Sequence, residues 1–417
     1  MPSNRPTSQQ AGFTLIELLI GMVIAIEILV AALTVFDVHN RMARVQLQIT
    51  DMQQSLRVAS YDMARTTRMA GRGGLPLGLN LQPAGLLSVP WLRGRAIEVR
   101  NNVLEGGDDA VAIGIDEPVA LPGTDILTVR GCISGLLLQL EPADYNVGGT
   151  LTIRRDLANG RSQDLTELLV DGFSSPMLLQ SSVDPAQFAI AEVRGATGDA
   201  DSVLINFTYA SGLTPPNPWI TAPQAGFLPG FACALEEYRY YVRPTFVTDA
   251  NGDQQLRPRL ARARMIPGTE LPHDEEPANL TLDLADDIFD LQVALGLDTA
   301  NNGAFNDDAN ADGGDDIIFE AATDADRADD DWLYNSSEDD PTDGVYLAPL
   351  YYARITALAR TAQRDPKYAA PDFDPAAGED YVEDNNYDED PAKYFKSDTN
   401  RQFRHRQLQT VVDLRNI

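Results

Sequence analysis

The sequence predicts an α+β protein: one long N-terminal helix, membrane-spanning and then amphipathic, packed on an antiparallel, sheet-rich head. Three observations predict it. Residues 13–36 are apolar except for Glu17, Glu27 and two threonines. Beyond them Val38, Met42, Val45, Ile49, Met52, Leu56, Ala59 and Met63 recur at alternating spacings of four and three. After residue 75 that period disappears, and short β-like runs alternate with Gly, Pro and Asn/Asp turns.

The first stretch is long enough, about 36 Å as a helix, to cross a bilayer. A secretory signal peptide has a shorter apolar core and a basic start, and Val30-Ala31-Ala32 imitates its cleavage site poorly. The second stretch is a heptad stripe with one apolar seam, and Arg41, Arg44, Gln48, Gln54 and Arg57 lie off it. The seam is expected to pack on the chain's own later domain rather than form a free coiled coil. Gly71, Gly73, Gly74 and Pro76 should end a helix of about 58 residues.

The head is expected to span 75–417. Its candidate strands are 96–103, 110–115, 125–129, 149–154, 202–209, 237–247, 254–261, 288–295, 346–359 and 407–414. Thr248-Asp249-Ala250-Asn251-Gly252-Asp253 reads as a hairpin turn, and the Pro/Gly-rich residues 211–230 as a loop.

Charge excludes some functions. With 32 basic and 62 acidic residues the net charge is −30, which argues against nucleic-acid binding and against a polybasic membrane-surface binder. The acid is concentrated in two inserts. Residues 298–343 hold 16 acids and one base, and 371–390 hold nine acids and none. Two cysteines, Cys132 and Cys233, rule out a disulfide scaffold and a Cys-rich zinc site. Three scattered histidines, His39, His273 and His405, suggest no metal or proton-transfer centre. No Gly-x-Ser-x-Gly elbow, P-loop or His-Glu-x-x-His occurs. The chain therefore offers no catalytic set, and no enzyme activity or required cofactor is expected.

One cation motif stands out. Asp308-Ala309-Asn310-Ala311-Asp312-Gly313 matches the first half of a calcium loop, with alternating oxygen ligands and a Gly for the turn. The Glu expected at 319 is Phe319, and Asp315 or Asp316 would have to complete the set. A calcium site and an unliganded acidic loop are both compatible with this pattern.

Gly12-Phe13-Thr14-Leu15-Ile16-Glu17-Leu18-Leu19-Ile20 closely resembles the processing motif of type IV prepilins and type II secretion pseudopilins. The resemblance is strong over about the first 40 residues. It implies a leader at 1–12, cleavage after Gly12 by a prepilin peptidase, and methylation of the new amino terminus at Phe13. It also implies a cytoplasmic N-terminus, which Arg5, Arg41 and Arg44 do not settle by charge. The membrane half would then be 13–36 and the amphipathic half 37–70. Glu17 suits the first turn of a helix electrostatically, and its implied partner is the freed Phe13 amine of the same or a neighbouring subunit. Glu27 lies deeper and has no counterpart in the motif.

Shorter segments resemble PilW-type minor pilins: Asp290-Leu291-Gln292-Val293 with Gly296-Leu297-Asp298, Gly123-Thr124-Asp125-Ile126-Leu127-Thr128-Val129, and the ending Thr410-Val411-Val412-Asp413-Leu414-Arg415-Asn416. Leu295 and the acidic inserts depart from that pattern. The resemblance implies a minor pilin near a pilus tip, anchored in the inner membrane with a periplasmic head. Its partners would be other minor and major pilins, the assembly platform and a tip adhesin. A minor pseudopilin of a type II secretion system shares every N-terminal feature. A membrane-anchored periplasmic enzyme or binding protein is the reading from a different class. In an oxidising periplasm Cys132 and Cys233 are expected to pair.

Overall fold

The computed structural model describes residues 14–75, 96–101, 120–268, 281–297, 317–318, 332–333, 350–368, 381–382, 385–386 and 402–414, apart from 134, 136, 166–175, 185–186, 213–216, 218, 221, 224, 249–251, 253 and 366–367. The fold is α+β. The chain divides into two units, Met1–Asp51 and Met52–Ile417.

One helix, α1, runs from Leu15 to Thr67. It stops three residues short of the expected end at 70. Arg68 to Gly74 form turns in which Gly71, Gly73 and Gly74 take φ of 74°, 96° and 93°, a region that disfavours side chains with a Cβ. The heptad seam is used unevenly. Met52, Leu56, Ala59 and Met63 are buried, whereas Val38 and Met42 stay exposed. The seam is fully buried from Met52 onward, and Val45 and Ile49 before it are half-buried.

In the second unit, the final turns of α1 lie against a five-stranded antiparallel sheet. Its order is Ile97–Arg100, Ile126–Gly131, Glu236–Arg243, Arg259–Met265, Thr281–Asp286. The Tyr240 hydroxyl lies 2.7 Å from both an Asp62 carboxylate oxygen and the Thr66 hydroxyl, and Arg262 pairs with Asp62 at 3.1 Å. The chain then passes through Asp287, whose φ is positive (57°), into a second sheet. Arg257 holds the Asp287 carboxylate across this switch.

The second sheet has the order Ile317–Ile318, Trp332–Leu333, Ile288–Leu297, Leu350–Arg360, His405–Asp413. Its long pairs are antiparallel, and the two-residue pair 317–318 with 332–333 is parallel. Ser60 of α1 hydrogen-bonds Thr410 on this sheet. Sheets one and two are joined at Asp125. Its N–H donates to the Leu291 carbonyl at 2.8 Å, its carboxylate accepts from the Val293 N–H at 2.7 Å, and Gln292 Nε2 donates to the Gly123 carbonyl at 3.2 Å.

Residues 132–235 are an insertion between two adjacent strands of the first sheet, where Gly131 pairs with Glu236. They build a seven-stranded sheet of order Leu138–Gln139, Pro229–Ala234, Met177–Ser181, Phe188–Gly198, Ser202–Thr208, Thr150–Arg154, Tyr145–Asn146. It has its own core, in which Leu151, Ile153, Met177, Val203, Ile205 and Phe207 are buried together.

The strand expectations meet mixed outcomes. Residues 254–261 are not one strand but parts of two, Gln254–Leu256 and Arg259–Met265, and 237–247 is likewise divided between Glu236–Arg243 and Phe246–Thr248. Pro258 separates the first pair and Pro244 the second. Proline brings no N–H to a ladder and marks such breaks. Phe246–Thr248 and Gln254–Leu256 pair antiparallel, as a hairpin about 248–253 requires. The expected strand at 110–115 lies outside the described residues.

Candidate functional site

The expected processing residues, Gly12 and Phe13, lie outside the described residues. The described helix begins one step later, with Thr14 as its N-cap. The Thr14 hydroxyl oxygen accepts from the Glu17 N–H at 3.3 Å, and a Glu17 carboxylate oxygen accepts from the Thr14 N–H and hydroxyl, each at 3.0 Å. This is a capping box, which satisfies two backbone donors that a helix start leaves open. The pattern Thr-x-x-Glu before an apolar run is its signal. Read only as part of the processing motif, it conceals this second role of Glu17.

From Leu15 to Phe36 the helix exposes its apolar side chains on every side, and it is long and apolar enough to cross a membrane. Thr34 donates its hydroxyl proton to the Val30 carbonyl at 2.8 Å.

At the other end of α1, helix, insertion and cysteines meet. Cys132 and Cys233 form a disulfide, with Cα atoms 5.9 Å apart and a sequence separation of 101. Both are buried. Cys132 directly follows the strand that leaves the first sheet, and Cys233 precedes the strand that returns to it, so the bond ties the neck of the insertion. The turn after α1 sits on that neck: Gly71 N–H donates to the Arg130 carbonyl, and Cys132 N–H to the Arg72 carbonyl, both at 3.0 Å. A Cβ at Gly73 would collide with both sulfur atoms.

Beside the neck lies a buried ion cluster with no local signature in the sequence. Arg130 reaches Glu237 and Glu98 at 2.7 Å each, and Arg239 reaches Glu237 at 2.6 Å. Arg130 also stacks 5.1 Å from the Trp219 ring centroid. Burial pushes the Glu237 carboxyl up, but the Arg130 and Arg239 guanidiniums outweigh it and hold it down to about 2. Glu98, Arg130, Glu237 and Arg239 come from three adjacent strands, and the Gly268 N–H also donates to Glu237. The cluster's chemistry is to fix those strands to one another, because removing one member would leave another charge buried and unpaired. On the opposite face, burial and then Asp62 raise the Tyr240 hydroxyl well above its ordinary range.

No group of three or more His, Cys, Asp or Glu that could hold a metal occurs among the described residues. The candidate calcium ligands Asp308, Asn310, Asp312, Asp315 and Asp316 lie outside them. Only 381–382 and 385–386 of the second acidic insert are described, as a two-stranded hairpin.

A long helix with an exposed apolar start, in a chain that also carries a β-rich head, is compatible with a membrane-anchored protein. Residues 7–25 match the prokaryotic N-terminal methylation motif, the prepilin-type cleavage and methylation signature. That motif implies interaction with a prepilin peptidase and with pilus components generally. Comparison with curated proteins and with solved structures found no match.

Proposed function

We propose that the protein is a minor pilin of a type IV pilus, of PilW type. It acts as a structural and assembly-priming subunit near the tip rather than as an enzyme. In this reading the chain enters the inner membrane with its head in the periplasm, loses residues 1–12, and joins other minor and major pilins through the assembly platform. A tip adhesin is a further partner. The observation that carries the reading is the methylation motif at the head of a helix whose first half is exposed and apolar. Its seam is buried from Met52 onward, so the exposed apolar stretch at its start is left for membrane and neighbours. The PilW type is supported by a juxtaposition: two segments that resemble that branch, 123–129 and 290–293, are bonded to each other through Asp125, Leu291, Gln292 and Val293. Residues 410–413 of the third run in the same sheet as 290–293. The head, with three sheets of five to seven strands, is also bulky for a uniform major subunit.

The test is the mature terminus and the phenotype of its loss. Intact mass from membranes should show a chain starting at Phe13 with one added methyl group. Deleting the gene should remove surface filaments and leave protein secretion intact. An unprocessed chain beside an active prepilin peptidase would overturn the pilin reading. Loss of secretion with filaments intact would assign the chain to a type II secretion system.

A further inference from the structure

We propose that the Glu27 face of α1 docks a membrane helix of another subunit, one that carries a basic group at the depth of this carboxylate. The proposal rests on the reading above, in which the first half of α1 lies in a membrane and then in an assembly.

Residues 13–36 contain no Lys, Arg or His. Their polar side chains are Thr14, Glu17, Thr34 and Glu27. The first three are satisfied on their own helix: Thr14 and Glu17 in the capping box, and Thr34 on the Val30 carbonyl. Glu27 has no such arrangement. Side chains meet along a helix at spacings of three and four, and those positions around Glu27 are Val23, Ile24, Val30 and Ala31, all apolar and exposed. Glu27 lies ten residues past Glu17 and nine before Phe36, about 14–15 Å from either mark, which is beyond the reach of its own side chain. An unpaired charge at mid-span costs roughly 3 kcal/mol on the insertion scale, and intramembrane carboxylates are kept where they meet a partner.

The same face indicates which partner fits. Ala31 and Thr34 follow Glu27 at four and seven residues, on one side of the helix. Ala31 is small, so a neighbouring backbone can come close. The Thr34 proton is spent on Val30, so its oxygen, like the carboxylate, is left to accept. A face that offers acceptors matches a cationic donor. A second copy of this chain in register would bring carboxylate against carboxylate.

The experiment uses the full chain in its own cell, with Glu27→Leu and Glu27→Gln, and with a photo-crosslinking residue at Ala31. Membrane insertion and leader removal should match wild type in both variants. Incorporation of Glu27→Leu into filaments should fall roughly tenfold or more, as expected when one member of a buried ion pair is left alone. The crosslink from position 31 to a single-span subunit with a basic group in its apolar segment should disappear in Glu27→Leu. If Glu27→Leu is incorporated as well as wild type or better, the docking proposal falls and the filament reading stands, because removing an unpaired charge would only have relieved a cost. If wild type is missing from filaments but crosslinks in a Glu27-dependent way, docking stands and the filament reading falls. An adduct with a second copy of the chain, or with a subunit lacking a basic group there, overturns the cationic partner.

Discussion

Two stretches of one helix treat their apolar side chains in opposite ways. Leu15, Ile16 and Leu18 are 80%, 68% and 66% exposed, whereas Met52, Leu56, Ala59 and Met63 are 6%, 2%, 0% and 0% exposed. The pattern of apolar residues, more than their number, decides the outcome. A helix apolar on all sides needs a non-aqueous surrounding everywhere, which one sheet cannot supply. A helix with a single seam needs one surface, and here sheets one and two provide it. The first stretch is therefore left exposed along its whole surface, and the second is spent on the chain's own head.

The sharpest way to test that division is to cut the head's staple while leaving the exposed stretch alone. Replacing Cys132 and Cys233 by serine opens a loop of 101 residues. The chain-entropy account then predicts a loss of about 4–5 kcal/mol. The full chain in detergent should melt at a markedly lower temperature, and membrane insertion should not change. An unchanged melting temperature would mean that the neck is held by the Gly71–Arg130 and Cys132–Arg72 backbone bonds without help from the sulfurs.

A pair of alanine substitutions compares the two stretches directly. Leu56→Ala removes a buried side chain and should destabilise the head by about 2–5 kcal/mol. Ile24→Ala, at a site 51% exposed, should change the same melting curve by less than about 0.5 kcal/mol. Equal losses would show that the seam is not what couples α1 to the head.

The sequence was most readable where one local period governs. The helix, its glycine stop and the methylation motif each depend on neighbours within a few residues, and Ile126–Gly131, Thr150–Arg154 and His405–Asp413 lie close to their expected places. Strands that break the alternation were not foreseen. Met177–Ser181 is buried on both faces and too short to show a period. Pro229–Ala234 starts inside a Pro/Gly-rich loop. Thr281–Asp286 carries two acids, and Asp283 is paired with Arg243 and Arg259, partners that only strand pairing brings near. The Glu98–Arg130–Glu237 cluster could not be read, because its members lie 32 and 107 residues apart and only strand pairing unites them.

Calcium addresses the acidic insert, whose candidate ligands lie outside the described residues. Asp308, Asn310 and Asp312 alternate before Gly313, and Asp315 or Asp316 would complete the shell. Without a Glu at 319, micromolar or weaker affinity is expected. At a hundredfold excess over Kd the gain in stability should be about 2.7 kcal/mol. Calorimetry and melting of the full chain with calcium or EDTA, beside an Asp308→Ala/Asp312→Ala variant, decide it. No heat at millimolar calcium, or an equal shift in the variant, leaves a solvated loop.

The smallest effect at neutral pH should appear only on acidification, and it belongs wholly to the head. His405 is half-buried against Phe289. Burial, and then the Arg360 guanidinium, hold its imidazole down to about 3 from an ordinary 6.5. Glu237 is held at about 2 against an ordinary 4.5. In both cases the unfolded chain takes up a proton at a higher pH than the folded one, so stability falls as pH falls. The His405 contribution is complete above about 6.5 and drains away towards 3, and that of Glu237 is complete above about 4.5 and drains towards 2. Melting temperature should therefore decline in two overlapping stages. His405→Gln removes only the first, so its curve should be flatter than wild type between pH 6.5 and 4.5 and should still fall below. If the variant kept the wild-type slope in that upper window, the acid sensitivity would have to come from groups other than this half-buried imidazole.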